Sequence, residues 1–239
     1  MHDTDLALES IDIRKTFGSF AALSGVNLRV KRGEFVALFG RNGAGKTTFL
    51  KVAAMLMRPT HGKLRIEGVD TREAPEQARR QIGFLSHNTY LYRDLSAVEN
   101  LRFFCRLYGV PDSDDGIIPL LERIGLRRRS KEMVRHFSRG LQQRLGIARV
   151  LLHNPSVMLL DEPYTGLDAN AAHVFNEMLD EQTRAGKTVI LTSHDIDQGL
   201  RGASRAVIID RGKIVFSSDA QDPGVRDAYA EYIQLGGGR

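Results

Sequence analysis

The sequence predicts an α/β fold with buried strands, and three stretches carry that prediction. Glu34-Phe35-Val36-Ala37-Leu38-Phe39 is a short apolar run followed by a glycine-rich turn and a helical pattern. Val157-Met158-Leu159-Leu160-Asp161-Glu162-Pro163 is apolar until it ends in two carboxylates. Thr188-Val189-Ile190-Leu191-Thr192-Ser193 is a third run, ending at His194. In open α/β sheets ligands bind at the carboxyl ends of the strands, so the polar residues that close these runs mark the expected site.

The glycine-rich turn is specific. Gly40-Arg41-Asn42-Gly43-Ala44-Gly45-Lys46-Thr47-Thr48 fits G-x-x-x-x-G-K-[ST], the phosphate-binding P-loop. Its glycines let backbone N–H groups close around a β-phosphate, because no Cβ blocks the approach. Lys46 can reach the β- and γ-phosphates, and the Thr47 hydroxyl can bind Mg²⁺. Thr47 to Met57 reads as a helix whose N-terminus faces those phosphates. Asp161 is placed to hold Mg²⁺ through water, and Glu162 to orient and deprotonate the attacking water.

Before the P-loop, Leu6 to Ile13 and Val26 to Val30 alternate apolar and polar, which predicts antiparallel strands. Lys15-Thr16-Phe17-Gly18 falls between them, and Phe17 is either a packed turn aromatic or a surface for an adenine ring. After the P-loop helix, Pro59 to Gly62 is a turn, Lys63 to Glu67 an alternating strand and Gln81 to Ser86 a buried one. From Ser96 to about His136 the pattern turns helical. Ser96-Ala97-Val98-Glu99 is a capping box that opens a helix stopped at Gly109-Val110-Pro111. A second helix spans Gly116 to Ile124. Arg127 to Lys131 is a basic run, read as a solvated helix end rather than a lipid or acidic-partner contact. Ala206 to Asp210 and Lys213 to Phe216 form a hairpin around Arg211-Gly212. Asp219 to Leu235 reads as a short surface helix, and Gly236 to Arg239 as a disordered end.

A chain of 239 residues with 42% apolar and 26% charged residues is long enough to bury a real core. No run of about 18 apolar residues predicts a membrane span. The polar, acidic start lacks the basic and apolar regions of a secretory signal. Cys105 is the single cysteine and lies in an apolar helical patch, so a buried structural thiol is expected, in keeping with a reducing compartment. A net charge of +5 permits attraction to anionic lipid or nucleic acid without requiring either.

Four further pieces complete a pattern. Phe137-Ser138-Arg139-Gly140-Leu141-Gln142-Gln143-Arg144 resembles the LSGGQ signature of ATP-binding cassette (ABC) ATPases, departing from it at Arg139 and Leu141 but keeping Ser138 and Gly140. Thr165-Gly166-Leu167-Asp168 is similar to that family's D-loop, His194 to its switch histidine, and Phe17 in position to its adenine-stacking aromatic. The resemblance runs from about Leu6 to Phe216, with the motifs in the family's order. It implies a P-loop NTPase fold with a RecA-like core, an antiparallel β subdomain and an inserted α-helical signature subdomain. Expected bounds are roughly 6–95 and 155–217 for the core with its β subdomain, roughly 96–154 for the helical subdomain, and roughly 218–239 for the tail. It also implies ATP hydrolysis with Mg²⁺ at the cytoplasmic face of the cell membrane. The implied partners are a second cassette, head to tail and as a homodimer, and integral membrane permease subunits, with no nucleic acid. In that arrangement Ser138 and Gly140 of one copy, with Asp168, close on the nucleotide that Gly40 to Thr48 of the other copy holds.

One departure concerns the segment Ile82 to His87, where the family has a Gln that reaches Mg²⁺ and the water. Here the position is His87, with Asn88 beside it, and either can substitute for that Gln. A neutral imidazole can accept from water or meet a metal. The ATPase pH profile is therefore expected to show an extra acid limb near pH ~6.5 that His87→Gln removes. An acid limb unchanged in that variant rules out the assignment. The stretch from His87 through Leu95-Ser96-Ala97-Val98-Glu99-Asn100-Leu101 is similar to the ATPase subunit of the haem exporter of cytochrome c maturation, and Phe137 to Gly140 and Asp161 to Asp168 also resemble bacterial members of that group. Other exporters share much of that run. Two rivals are a soluble ABC ATPase acting on DNA or ribosomes, and a regulatory module that binds ATP without turnover. The absence of a basic-aromatic stripe speaks against the first, and intact Lys46, Asp161, Glu162 and His194 against the second. Tyr90 and Tyr92 either pack internally or border a groove for a membrane partner's helix.

Overall fold

A computed structural model describes residues 5–86 and 88–235. The first strands, β1 (Leu6–Phe17) and β2 (Phe20–Lys31), form a long antiparallel hairpin, and β3 (Phe35–Phe39) leads into the P-loop and α1 (Lys46–Ala53). The hairpin is longer than the alternating pieces predict. Phe17 pairs with Phe20, so Lys15 to Phe17 belong to β1 and the turn is Gly18-Ser19. Helix α1 stops four residues short of the predicted Met57, because Met55 adopts a left-handed φ of 56°.

Next come β4 (His61–Ile66), the two-residue β5 (Val69–Asp70), α2 (Pro75–Arg80) and β6 (Ile82–Leu85). The helical stretch holds α3 (Ala97–Tyr108), α4 (Asp114–Arg123) and α5 (Arg139–Leu151). Then β7 (Val157–Asp161), α6 (Ala169–Arg184), β8 (Thr188–Thr192), α7 (Ile196–Leu200), β9 (Arg205–Asp210), β10 (Lys213–Asp219) and α8 (Gly224–Leu235) complete the described chain. His87 and the predicted disordered end, Gly236 to Arg239, lie outside the described residues.

Among the described residues, two sheets form. One is antiparallel, in the order β2-β1-β4-β5; the other runs β10-β9-β3-β8-β7-β6, with only the edge strand β10 antiparallel. The five parallel strands of the larger sheet are buried on both faces, as continuous apolar strands require, while the edge strand β10 stays partly exposed. Alternate residues serve the two faces. Val36, Leu38, Leu159, Ile190 and Val207 join a cluster with α1 and the antiparallel sheet, while Phe35, Ala37, Phe39, Leu160 and Leu191 join the helices. Each fully buried Leu or Phe stabilises the fold by ~1.5–3 kcal/mol.

The capping box at Ser96 forms as predicted. The Glu99 N–H donates to Ser96 Oγ, and the Ser96 N–H donates to Glu99 Oε2. Gly109 closes α3 in the left-handed conformation. Cys105 is buried, and burial raises its thiol pKa, which agrees with a structural thiol. Arg127–Arg129 forms a short 3₁₀ turn with exposed side chains.

Asn100 organises the loop in front of α3. It is fully buried, its Oδ1 accepts from the Tyr92 N–H at 2.8 Å, and its Nδ2 faces the Tyr92 and Ser96 carbonyls at 2.9 and 3.0 Å. Asn100→Ala takes the partner from the Tyr92 N–H, while the Tyr92 and Ser96 carbonyls keep the backbone N–H groups of Leu95 and of position 100, so it is expected to lower stability by roughly 2 kcal/mol. The shift in urea midpoint measures this. A loss below ~1 kcal/mol would mean that water replaces the amide.

Candidate functional site

Sheet register assembles the site. β3, β7 and β8 are parallel, and Asp161 pairs with Thr192 across β7 and β8. Their side chains therefore emerge together at the carboxyl edge, beside the loop that leaves β3. Asp161 Oδ1 accepts from Thr192 Oγ1 at 2.8 Å and from Thr47 Oγ1 at 3.0 Å. One carboxylate thus joins the first turn of α1 to the end of β8. Sequence reading does not single out Thr192, although its place at the end of an apolar run, level with Asp161, is a usable signal.

The P-loop folds tightly around Lys46. Gly40 has φ 154°, and a Cβ there would lie 2.4 Å from the Ile209 carbonyl oxygen, so no side chain fits. Gly45 caps α1 with φ 111°. Lys46 is only 6% exposed, and its Nζ donates to the Gly40 carbonyl at 2.6 Å and lies 3.9 Å from Glu162 Oε1. Burial holds the ammonium below the usual lysine range, while Glu162 and Asp161 oppose that shift. The turn between β9 and β10 braces the loop, with the Gly212 N–H donating to the Ala44 carbonyl at 2.9 Å.

Glu162 sits one residue past β7 in a left-handed conformation, φ 52°. Its N–H donates to Thr192 Oγ1 at 3.0 Å, and its Oε2 meets His194 Nδ1 at 2.7 Å. A carboxylate only accepts, so this contact puts a proton on Nδ1. The His194 side chain is otherwise exposed.

Ser138, Gly140 and Asp168 form a second group. Ser138 caps α5, its Oγ accepting from the Leu141 N–H at 3.4 Å. Asp168 caps α6 through the Ala171 N–H at 2.7 Å and accepts from Arg144 at 2.9 Å. A Cβ on Gly140 would lie 2.6 Å from the Gly166 carbonyl, so the two loops touch backbone to backbone. Gln143, which sequence reading leaves unassigned, ties this group to the first: its Nε2 donates to the Pro163 carbonyl at 3.0 Å. Phe17 lies at the β1–β2 turn, 47% exposed, with Lys15 Nζ 5.2 Å from its ring centroid. Nothing is described for His87. Asn88 Oδ1 accepts from the Tyr90 N–H, and its carbonyl accepts from Ser86 Oγ.

A glycine-rich loop after a parallel strand, its lysine beside the two carboxylates that end β7, defines a P-loop nucleoside triphosphatase. The family model for ABC transporters matches residues 23–165. NatA, an ABC transporter ATP-binding protein of Bacillus subtilis, is 36% identical over 82% of this chain and 80% of its own length. Nod factor export ATP-binding protein I of Cupriavidus pinatubonensis is 35% identical over 90% of this chain and 67% of its own. The ATP-binding cassette MJ0796, solved as a dimer in a post-hydrolysis state with ADP and Pi, superposes with a TM-score of 0.82 at 28% identity, covering 90% of this chain and 99% of that one. The chain belongs to the ABC transporter family, as its ATP-hydrolysing subunit. Neither relative is named as a haem exporter.

Proposed function

We propose that the chain powers export through membrane-embedded partner subunits, hydrolysing Mg-ATP between two head-to-tail copies at the cytoplasmic face of the membrane. The observation that carries this reading is the Lys46, Thr47, Asp161, Glu162 and His194 cluster, with Ser138 and Gly140 held apart on α5. Ser138 and Gly140 are turned to their own helix and to Gly166, which suits them to a second copy's nucleotide. Among the described residues no helix is long and apolar enough to cross a membrane, so the reading assigns the path to partners.

Lys46 and the P-loop N–H groups hold the phosphates, and Phe17 offers an open ring face for adenine. Thr47 and Asp161 supply hard oxygen ligands, which fits Mg²⁺. Among the described residues no cluster of three or more His, Cys, Asp or Glu would hold a metal alone, which suits an ion carried largely by phosphates and water. Thr47 and Asp161 would hold the ion where it would supply charge neutralisation for the phosphate oxygens. Glu162 accepts the proton of the attacking water, and His194 contacts the γ-phosphate. Catalysis is then mainly positioning and charge stabilisation.

Export is the direction that the Nod factor relative's name carries. The haem reading rests on His87 to Leu101, together with Phe137 to Gly140 and Asp161 to Asp168, and much of the first run has a local structural reason. Ser96 and Glu99 are the capping box and Asn100 anchors the preceding loop. Tyr90 and Tyr92 answer both expectations: each is about half exposed, yet Tyr92 packs edge-on against Phe103 at 4.6 Å. Capture with tagged Glu162→Gln and Mg-ATP from native membranes tests the whole reading. Recovery of cytochrome c maturation membrane subunits supports haem delivery. Another permease keeps the transporter and discards haem, and ribosomes or DNA-bound proteins without a permease overturn the reading.

A further inference from the structure

The C-terminal helix α8 reads from sequence as a surface element, but it reaches both walls of the nucleotide site. Val225 and Tyr229 are buried. The Tyr229 ring packs on Phe39, the last residue of β3, with centroids 5.4 Å apart, and its hydroxyl donates to the His194 carbonyl at 3.1 Å. One turn further on, the Tyr232 hydroxyl accepts from the Arg41 N–H at 3.2 Å and lies 3.2 Å from Asp210 Oδ1. Arg226 pairs with Asp197 on α7, the helix that follows the His194 loop. Burial, followed by the Glu162 charge, pushes the Tyr229 phenol up, so it remains a donor.

We infer that Tyr229 and Tyr232 are positioning residues for ATP hydrolysis: Tyr229 fixes the loop that carries His194, and Tyr232 fixes the opening peptide of the P-loop. The inference rests on the roles proposed above for His194 and the P-loop. The geometry explains why a tyrosine is needed at each place. The His194 imidazole is exposed and, among the described residues, meets Glu162 alone, so its orientation depends on the backbone that bears it. That backbone is flanked by the Ser193 hydroxyl, which donates to the Asp195 carbonyl, and is anchored from outside by Tyr229. Arg41 follows Gly40, whose own position is set by close contact with Ile209, and the Tyr232 hydroxyl sits at that junction, 3.5 Å from the Ile209 carbonyl. The two rings are 6.4 Å apart on successive turns, so a shift of α8 moves both anchors together.

Tyr229→Phe and Tyr232→Phe in the full chain remove each hydroxyl and keep the rings. Steady-state ATPase, equilibrium binding of a fluorescent ATP analogue and nucleotide-free thermal unfolding are measured for both. Tyr229→Phe is expected to lower kcat about fivefold with KM little changed. Tyr232→Phe is expected to weaken analogue binding about fivefold with kcat little changed, each factor being that of one lost hydrogen bond. Any other split overturns the inference, including unchanged kcat and affinity in both variants or a fall in thermal midpoint alone. Glu162→Gln assayed alongside separates the two levels. Wild-type turnover in that variant overturns the catalytic-base reading, and the affinity of Tyr232→Phe still decides its anchor.

Discussion

Glu162→Gln is expected to bind ATP like the parent chain, to hold two copies together and to lose about 10²–10⁴ in turnover. The reason is geometric. Glu162 meets His194 at 2.7 Å, lies 3.9 Å from Lys46, and has its backbone N–H locked on Thr192. Glutamine has the same shape and occupies the same place, but its amide cannot take a proton from water. Assembly and turnover therefore separate. Phosphate release measures the second, and size exclusion with Mg-ATP the first. Turnover at the parental rate would show that another group takes the proton.

Lys46→Ala is expected to weaken ATP binding by about 10²–10³-fold, as the loss of charge-assisted bonds to two phosphates implies. The lysine is already prepared for this task. Its ammonium is buried and held by the Gly40 and Arg41 carbonyls, within reach of Glu162, so little ordering remains to be done when phosphate arrives. Titration with a fluorescent ATP analogue checks this. Affinity within threefold of the parent would place the phosphates elsewhere. Lys46→Arg is not a conservative control, because a guanidinium fork does not fit a pocket built for a point charge.

Sequence reading reaches the elements whose information is local. Phe35–Phe39, Val157–Asp161 and Thr188–Thr192 are short apolar runs with polar ends, and their pairing follows from burial on both faces. The P-loop is legible because only glycine tolerates the backbone at Gly40. Boundaries are less legible. The predicted helix overshoots α1 because nothing in the apolar run Val52 to Met57 announces the left-handed turn at Met55. Partnerships across long separations are least legible. Gln143 meets a carbonyl 20 residues away, and Tyr232 meets an N–H 191 residues away. Backbone partners leave no mark in composition or periodicity, so the role of α8 emerges only from the assembled chain.

The contact between Gln143 and the Pro163 carbonyl has a further consequence. Pro163 follows Glu162 directly, while Gln143 lies on the helix that Ser138 opens. In the head-to-tail pair proposed above, what each copy does to its own nucleotide and what it would present to the other's would then be joined through this one hydrogen bond. The two contacts and the two nucleotides of such a pair would form a closed circuit, in which a displacement at Glu162 of one copy would reach the opposite nucleotide through α5. Two hydrolysis events in that circuit would not be independent, and their order in time would be a property of the pair.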